Sequence, residues 1–385
     1  MSITSHAPLP HASPVPVMIG HEIYRGSSYG IHHPLRVPRV STVMDLSRAM
    51  GWLSRDQFVQ SPRAKPAALL GFHTGSYVAA LQAAEAQQSV SDEVKTQHGL
   101  GTPSNPVFAE MYRRPATSAG ASLLAGEMLV RGGVIYAPAG GTHHGMPDRA
   151  NGFCYLNDPV LAIQSLRRNG AQRVAYVDID AHHPDGVEYA FADDPDTLLI
   201  STHEENRWPR TGALSDQGAG QVWNVPLPAG VADDTAALVR DEVILPAVQA
   251  FRPDAIVLQC GADAVLEDPQ SRMAWSNQAH WAIVSALKSM SPRYLVLGGG
   301  GYNPWSVGRC WTGVWATLND YEVPDILPPA AQDVLRALTW DGQRRVKVPP
   351  ADWLQTLADT SRPGVIPDAV RARVATLKSR MLRWI

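Results

Sequence analysis

Short apolar runs rich in β-branched residues alternate with longer helix-like segments along this chain, and this alternation limits the possible folds most strongly. Strands that are apolar throughout are typical of sheets buried on both faces, and strands separated by helices are typically parallel. The runs predict strands at residues 17–20, 134–137, 174–180, 197–202, 255–260 and 294–298. The pattern therefore predicts an α/β protein with one doubly wound parallel sheet.

Segments with helical periodicity lie between these strands. They are residues 66–86 in part, 117–130, 158–169, 234–251, 276–290 and 304–318. Loops rich in Pro and Gly are predicted at residues 99–106, 208–220 and 226–230, where α/β folds place their sites. Residues 368–385 predict a basic amphipathic helix that packs on the surface of the domain.

The composition excludes several classes of protein. Apolar residues make up 45% of the 385 positions and charged residues 18%, which indicates a globular chain. No stretch approaches the ~18 consecutive apolar residues of a membrane span. The net charge of −3 gives no reason to expect direct binding of nucleic acid. Because the N-terminus lacks the basic start and apolar block of a secretory signal, we expect a cytoplasmic protein.

The cysteines do not form a metal motif. Cys154, Cys260 and Cys310 lie in apolar segments without CxxC spacing, so we expect buried thiols and no disulfide framework. Any metal must then be bound by histidines and carboxylates.

Residues 174–186 form the most informative segment, which begins as a buried strand and ends in polar residues. Side chains alternate along a strand, so Asp178, Asp180 and, if the strand extends that far, His182 are expected on one side. Buried carboxylates are costly unless a metal or a proton compensates them. Asp263, at the end of another apolar strand, can supply a third ligand. Two carboxylates and one histidine leave a zinc position open for water or substrate.

Two glycine-containing segments add reactive groups. His143 and His144 follow a Pro/Gly turn, and they can be metal ligands or a general base with its electrostatic neighbour. In the second case each needs a carboxylate on its far nitrogen, and Asp178 and Asp185 are available. Four glycines precede Tyr302, where backbone can approach a reacting centre and the phenol can donate to an oxyanion.

Five motifs in this order resemble the histone deacetylases, most closely the class I type and its bacterial acetoin-utilisation relatives. They are Gly-Gly-Thr-His-His at 140–144, Gly-Phe-Cys-Tyr-Leu-Asn-Asp at 152–158, Asp-Ile-Asp-Ala-His-His-Pro-Asp-Gly at 178–186, Gln-Cys-Gly-Ala-Asp at 259–263 and Leu-Gly-Gly-Gly-Gly-Tyr at 297–302. The resemblance implies a single domain with the arginase-deacetylase fold, a central eight-stranded parallel sheet flanked by helices. It predicts a catalytic domain at 17–320, a disordered segment at 1–16, and a C-terminal extension, 321–385, packed on the same domain.

The resemblance also implies a role for individual residues. The implied ligands of Zn²⁺, or of Fe²⁺ in the cell, are Asp180, His182 and Asp263. The implied catalytic residues are His143 paired with Asp178, His144 paired with Asp185, and Tyr302. A structural K⁺ is implied near Asp178, Asp180, His182 and Ser201. The implied substrate-binding residues are Gly152, Phe153, Trp208, Gln270, Arg39 and Gly300.

Several positions depart from the family pattern. Pro184 replaces the usual glycine after the tandem histidines, which predicts a reshaped metal segment. Ser104 replaces the rim aspartate that grips the substrate backbone in many relatives, which puts peptide recognition in doubt. Gln270 and Thr142 replace larger or apolar residues, which predicts a wider or more polar entrance. Trp208 stands where the family usually has Phe.

The resemblance implies removal of an acyl group from an amine, with acyl-lysine in proteins or peptides as the first substrate. Acylated polyamines or another small acyl-amine are the alternative. An arginase-like ureohydrolase would need further aspartates near Asp263, and the sequence has none at the required spacing. A non-catalytic acyl-amine-binding module would be expected to have lost the histidine pair or Tyr302. A homo-oligomer remains open, because the family includes monomers and larger assemblies.

Overall fold

A computed structural model describes residues 15–340 and 348–381 of the chain. Eight strands form one sheet in the order β2-β1-β3-β8-β7-β4-β5-β6, and every pairing is parallel. The strands are β1 (Val17–Gly20), β2 (Phe58–Gln60), β3 (Gly133–Ala137), β4 (Val174–Asp178), β5 (Thr197–Glu204), β6 (Val222–Leu227), β7 (Ala255–Gln259) and β8 (Arg293–Leu297). The structure confirms the predicted single α/β domain with an eight-stranded parallel sheet.

The two strands that the apolar pattern did not predict lie at the edges of the sheet. β2 has only three residues, and none of them is fully buried. β6 contains Pro226, which lies opposite His203 of β5, and the prediction of a loop starting at residue 226 is wrong. Proline donates no hydrogen bond and is tolerated on an edge strand, where one side of the strand needs no partner.

Helices connect the strands and cover the sheet. They are α1 (Ile23–Gly26), α2 (Val40–Ala49), α3 (Pro66–Leu69), α4 (Gly75–Gln87), α5 (Asp92–His98), α6 (Arg113–Met128), α7 (Asp158–Arg168), α8 (Asp185–Phe191), α9 (Asp233–Val239), α10 (Leu245–Phe251), α11 (Asn277–Leu287), α12 (Pro304–Leu318), α13 (Pro329–Arg336) and α14 (Asp368–Met381). A π-helical segment, Arg240–Ile244, joins α9 to α10. None of the helices in the described segments combines the length and apolar character needed to cross a bilayer.

Each face of the sheet is buried, as a parallel sheet requires. In β4, Val174 and Tyr176 pack with α6 and α7 on one face. Ala175 and Val177, between them in sequence, pack with α2, α11 and α12 on the other. The alternation explains why central strands are apolar at every position.

Two predicted helices are interrupted. Residues 66–86 contain α3 and α4, because the side chain of Thr74 accepts the N–H of Tyr77 and begins a new helix there. Residues 234–251 contain α9, the π segment and α10. Pro246 lacks the N–H that would continue the regular helical ladder into α10.

The chain after the sheet packs against it. α14 buries Val370, Val374 and Leu377 in the same core cluster as β4 to β8. Residues 382–385, the end of the predicted tail helix, lie outside the described residues, as do residues 1–14 of the predicted disordered segment. Cys154, Cys260 and Cys310 are buried free thiols, which confirms that prediction.

Candidate active site

The segments that follow the four central strands carry the candidate site. β3, β8, β7 and β4 are neighbours, and the carboxyl ends of parallel strands lie at the same edge of a sheet. The histidine pair follows β3, the Asp180 segment follows β4, Asp263 follows β7, and Tyr302 follows β8. Four adjacent strand ends thus bring together residues that are up to 159 positions apart, from His143 to Tyr302.

Asp180, His182 and Asp263 form a compact group of potential metal ligands. One side-chain donor atom from each residue lies within 4.8 Å of the others. His182 Nδ1 is 3.1 Å from Asp180 Oδ1 and 2.9 Å from Asp263 Oδ2. Both carboxylates are buried. The three residues predicted as ligands therefore face one point.

The convergence does not come from strand alternation, so that part of the sequence reasoning is wrong. β4 ends at Asp178, whose Oδ1 accepts the Asp180 N–H at 2.9 Å. Asp180 Oδ1 in turn accepts the His182 N–H at 3.0 Å. Two successive Asx turns therefore direct Asp180 and His182, because a short carboxylate can satisfy the backbone two residues ahead.

Glycines allow the ligands to approach the neighbouring strand ends. The Gly300 N–H donates to Asp180 Oδ2 at 2.6 Å, and the Ala181 N–H donates to Asp263 Oδ1 at 2.9 Å. A Cβ at Gly300 would lie 2.1 Å from Asp263 Oδ2, and one at Gly261 would lie 2.1 Å from Asp180 Oδ2. Any larger residue at either position would displace a carboxylate.

The charges and donor types of this group suit a divalent cation. Buried carboxylates are costly without compensating positive charge. Burial lowers the pKa of His182, but Asp263 and Asp180 outweigh that effect and raise it to about 10. Positive charge is thus favoured where the three side chains meet. One nitrogen and two carboxylate groups also form a ligand set that zinc accepts, with positions left for water and substrate.

The two histidines after β3 and two carboxylates form a continuous series of hydrogen-bonding groups. His143 Nδ1 lies 2.8 Å from Asp178 Oδ2, and His144 Nδ1 lies 2.6 Å from Asp185 Oδ1. The Nε2 atoms of the two rings are 2.9 Å apart. Asn151 donates to the second oxygen of Asp185 at 3.1 Å. Each ring therefore has its own carboxylate, in the pairing that the family resemblance implied.

The two rings are electrostatically different. Burial opposes protonation of His143, but Asp178 and Asp180 outweigh it and raise its pKa to about 9. Burial and the neighbouring His143 lower the pKa of His144 to about 4, although Asp185 acts in the opposite direction. At neutral pH the pair thus combines an imidazolium with a neutral imidazole that can accept a proton.

A pocket of about 580 Å³ leads from the surface to His144, His182 and Tyr302. The rings of Trp208 and His144 meet edge to face at 4.6 Å. Gly152 has φ +51°, and a Cβ there would lie 2.1 Å from the Trp208 ring. Position 152 therefore requires glycine for two reasons: the positive φ, and the lack of room for a side chain beside Trp208.

The opposite wall and the mouth are formed by other chain segments. Phe153 contacts Tyr302 with ring centroids 5.9 Å apart. Ser104 and Gln270 also line the pocket, so two of the positions that depart from the family pattern are at its surface. Trp208 is 44% exposed, and its ring is therefore available to a ligand entering the pocket.

A smaller inner pocket of about 40 Å³ lies behind the ligand group. Arg39, Gly300 and Tyr302 line it together with both histidines of the pair. Arg39 Nη1 donates to the Gly299 carbonyl at 2.6 Å, and its guanidinium lies 5.3 Å from the Trp311 ring centroid. Arg39 therefore places a positive charge next to the reacting centre.

A family model described as histone deacetylase domain matches residues 33–318. The chain belongs to the histone deacetylase family. It is 32% identical over 320 residues to acetoin utilization protein AcuC of Bacillus subtilis (strain 168), covering 80% of this chain and 82% of that protein. It is 36% identical to histone deacetylase 8 of Xenopus tropicalis, covering 75% of this chain and 82% of that protein. The crystal structure of a histone deacetylase homologue from Aquifex aeolicus matches with a TM-score of 0.89 and 32% identity, covering 94% of this chain and 100% of that one.

Pro184 and Thr142, two departures from the histone deacetylase pattern, have clear structural roles. Pro184 precedes α8, and its carbonyl accepts the N–H groups of Val187 and Glu188 at 3.0 and 2.9 Å. The ligand group converges with proline at this position. Thr142 lines the inner pocket, so its expected effect on the entrance is wrong. Its hydroxyl donates to the Leu156 carbonyl at 2.6 Å and so holds the histidine loop.

Several polar residues that position the histidine pair were not singled out in the sequence. The Tyr176 hydroxyl donates to Asp178 at 2.6 Å, and the Gln259 side chain lies 2.7 Å from His143 Nδ1. Asp158 accepts the backbone N–H groups of Gly141 and Thr142 at 3.1 and 2.8 Å. A polar residue inside an apolar strand, such as Gln259, is the signal that could have identified this network.

Proposed function

We propose that this protein is a zinc-dependent amidohydrolase that removes an acetyl or other acyl group from an amine, with the side chain of lysine in proteins or peptides as the first substrate. The deacetylase names of the relatives support the reaction class. The observation that carries the proposal is the convergence of Asp180, His182 and Asp263 beside the histidine pair, at the base of a pocket open to solvent.

Asp180, His182 and Asp263 would hold the metal ion, zinc or, in the cell, iron. When bound, such an ion polarises an amide carbonyl and lowers the pKa of water. Asp178 Oδ1 and the Gly300 N–H keep the Asp180 turn and carboxylate in place before any ion enters. The preformed geometry reduces the reorganisation that binding requires.

His144 acts as the general base in this mechanism. Its low pKa keeps Nε2 unprotonated, so this atom, 2.9 Å from His143 Nε2, can take a proton from the attacking water, while Asp185 fixes the orientation of the ring. His143 stays protonated beside Asp178 and stabilises the negative charge that develops on the substrate. The proton taken up by the pair then moves to the nitrogen of the departing amine.

Tyr302 donates its hydroxyl to the carbonyl oxygen. Burial raises the pKa of this phenol well above its usual range, so it stays protonated and can donate its hydrogen at neutral pH. Phe153 and Trp208 form the two apolar walls along an extended aliphatic chain, with Gly152 beneath Trp208. The acid product is released toward the inner pocket, where Arg39 supplies a positive charge.

Acylated polyamines are the second candidate substrates, because Ser104 leaves the mouth without the rim carboxylate that grips a peptide backbone. The remaining charges of the pocket favour acyl-lysine. Glu204 is paired with Arg207, as Glu205 is with Arg373, each at 2.6 Å. The exposed Arg272 adds a further positive charge to the wall, which repels a polycation.

The proposal extends to the surroundings of the site. Asp178 and Ser201 lie opposite each other on β4 and β5, and with Asp180 and His182 they would surround a structural K⁺ through oxygen atoms. We place the enzyme in the cytoplasm, with an oligomer as an alternative to a monomer.

The test combines metal analysis with deacetylation. Purified protein should bind one zinc ion per chain, hydrolyse acetyl-lysine peptides, and lose activity with a chelator or a hydroxamate. Asp263→Asn should lose both metal and activity, because it removes one of the carboxylate ligands. Acetylputrescine, acetylspermidine and longer acyl-lysines belong in the same panel. Full activity in protein that retains no metal after reconstitution would contradict the proposal.

A further inference from the structure

The glycine run before Tyr302 has no side chains to hold it, so its position depends on backbone hydrogen bonds. Gly299 and Gly301 have φ +131° and +137°, values that only glycine adopts readily. The carbonyl of Gly300 accepts the Ala262 N–H at 2.8 Å. The hydrogen-bond partner of the Tyr302 backbone therefore determines where the phenol points.

Asp268 supplies that contact. Its side chain is fully buried, and Oδ2 accepts the Tyr302 N–H at 2.6 Å. Oδ1 accepts the N–H of Gln270 at 2.8 Å, in the segment that lines the mouth of the pocket. Its own N–H donates to the Val265 carbonyl at 3.0 Å, which ties it to the turn after Asp263. One carboxylate thus links the ends of two strands and the pocket wall.

We propose that Asp268 is the positioning residue that sets the direction of the Tyr302 hydroxyl. The inference rests on the proposed function, because it concerns the residue that donates to the substrate carbonyl. A small rotation of the Tyr302 backbone is amplified at the far end of its side chain. A displacement of about 1 Å at a catalytic group is enough to cost on the order of 100-fold in rate.

Asp268→Asn is the informative change. The amide keeps the shape of the carboxylate but presents an N–H₂ group to one of the two backbone N–H donors. We expect kcat for an acetyl-lysine peptide to fall at least about tenfold, with KM changed less than about threefold and metal content retained. In the Tyr302→Phe background the same substitution should change kcat less than about twofold, because the hydroxyl it positions is gone.

A matched control separates positioning from general stability. Asp254 also accepts two backbone N–H groups, those of Gln172 and Arg173 at 2.8 and 2.9 Å. It directly precedes β7, however, and so lies at the amino ends of the strands, away from the candidate site at their carboxyl ends. Asp254→Asn should leave kcat unchanged. If Asp268→Asn does not fold, Asp268→Glu replaces it, since it keeps both acceptor oxygens but shifts them by one methylene. We expect it also to lower kcat only when Tyr302 is present.

Amide hydrogen exchange gives a readout that needs no activity. The peptide containing Tyr302 should exchange faster in Asp268→Asn than in wild type, and should be unaffected by Asp254→Asn. Wild-type kcat in the Asp268 variant, or an equal loss with and without the Tyr302 hydroxyl, would overturn the inference. Inactive wild-type protein would instead refute the proposed function, and the exchange of the Tyr302 amide would still decide whether Asp268 holds this segment.

Discussion

Replacing Tyr302 with phenylalanine tests the proposed mechanism with the removal of a single oxygen atom. The Tyr302 side chain is largely buried, its ring contacts Phe153, and its backbone is held by Asp268. Phenylalanine has the same ring and can keep these contacts. The pocket should therefore retain its shape, and any change in rate reports on the missing hydroxyl.

The magnitude follows from the role of the phenol. Because burial raises the pKa of Tyr302 well above its usual range, the wild-type hydroxyl is a full donor at neutral pH. Removing one donor to a developing oxyanion costs ~3 kcal/mol. Since each 1.36 kcal/mol is tenfold in rate, kcat should fall by at least about a hundredfold. Metal content should not change, because Tyr302 is outside the ligand group.

The assay is steady-state hydrolysis of an acetyl-lysine peptide, with metal analysis of the same samples. Tyr294→Phe is the matched control, since Tyr294 lies on β8 and its hydroxyl donates to the Val284 carbonyl at 3.1 Å, within the core. That variant should lose about 1 kcal/mol of stability and keep its kcat. Full activity of Tyr302→Phe would show that the phenol has no part in catalysis.

Three further predictions concern the pocket wall and the stability of the fold. Gly152→Ala should lower kcat/KM at least about tenfold, because the new Cβ collides with Trp208, and unchanged kinetics would contradict this wall. Asp359→Ala should lower the free energy of unfolding, measured by urea denaturation, by about 3–5 kcal/mol, because the buried Arg309 guanidinium, 2.7 Å away, loses its carboxylate. A decrease of only about 1 kcal/mol, as for an exposed ion pair, would refute the estimate. Burial lowers the pKa of His73 from 6.5 to about 4, so the fold favours the neutral imidazole. The stability that the neutral ring contributes is complete above pH 6.5 and is lost as the pH falls toward 4. As the pH is lowered, the urea midpoint of His73→Gln should therefore fall less than that of wild type. The same pH dependence in both proteins would exclude this role of His73.

The sequence predicted the centre of the fold better than its edges. Central strands such as β4 are apolar on both faces, and this is visible in a single sequence. β2 and β6 are short or contain proline, so their pairing depends on neighbours that the local pattern does not reveal. The interruption at residues 240–244 likewise depends on local hydrogen bonding.

The candidate site was predictable as a set of residues but not in its geometry. Reactive side chains at strand ends, such as Asp180 and Asp263, can be recognised because parallel strands end at one edge. The directions of Asp180 and His182 come from Asx turns, which depend on backbone angles beyond the end of β4. Asp268 and Gln259 were missed, because neither a carboxylate in a polar loop nor a lone polar residue in an apolar strand indicates its partner until the fold is known.

The location of the reacting groups at the four innermost strands has a consequence for how such a protein can diversify. The two edge strands, β2 and β6, carry none of the residues proposed here as metal ligands or proton donors. Insertions, deletions or new binding surfaces can therefore accumulate at the periphery while the interatomic distances at the centre stay constant. Conversely, a change of register between β7 and β8 would separate Asp263 from the Tyr302 segment and abolish activity without altering a single reactive residue.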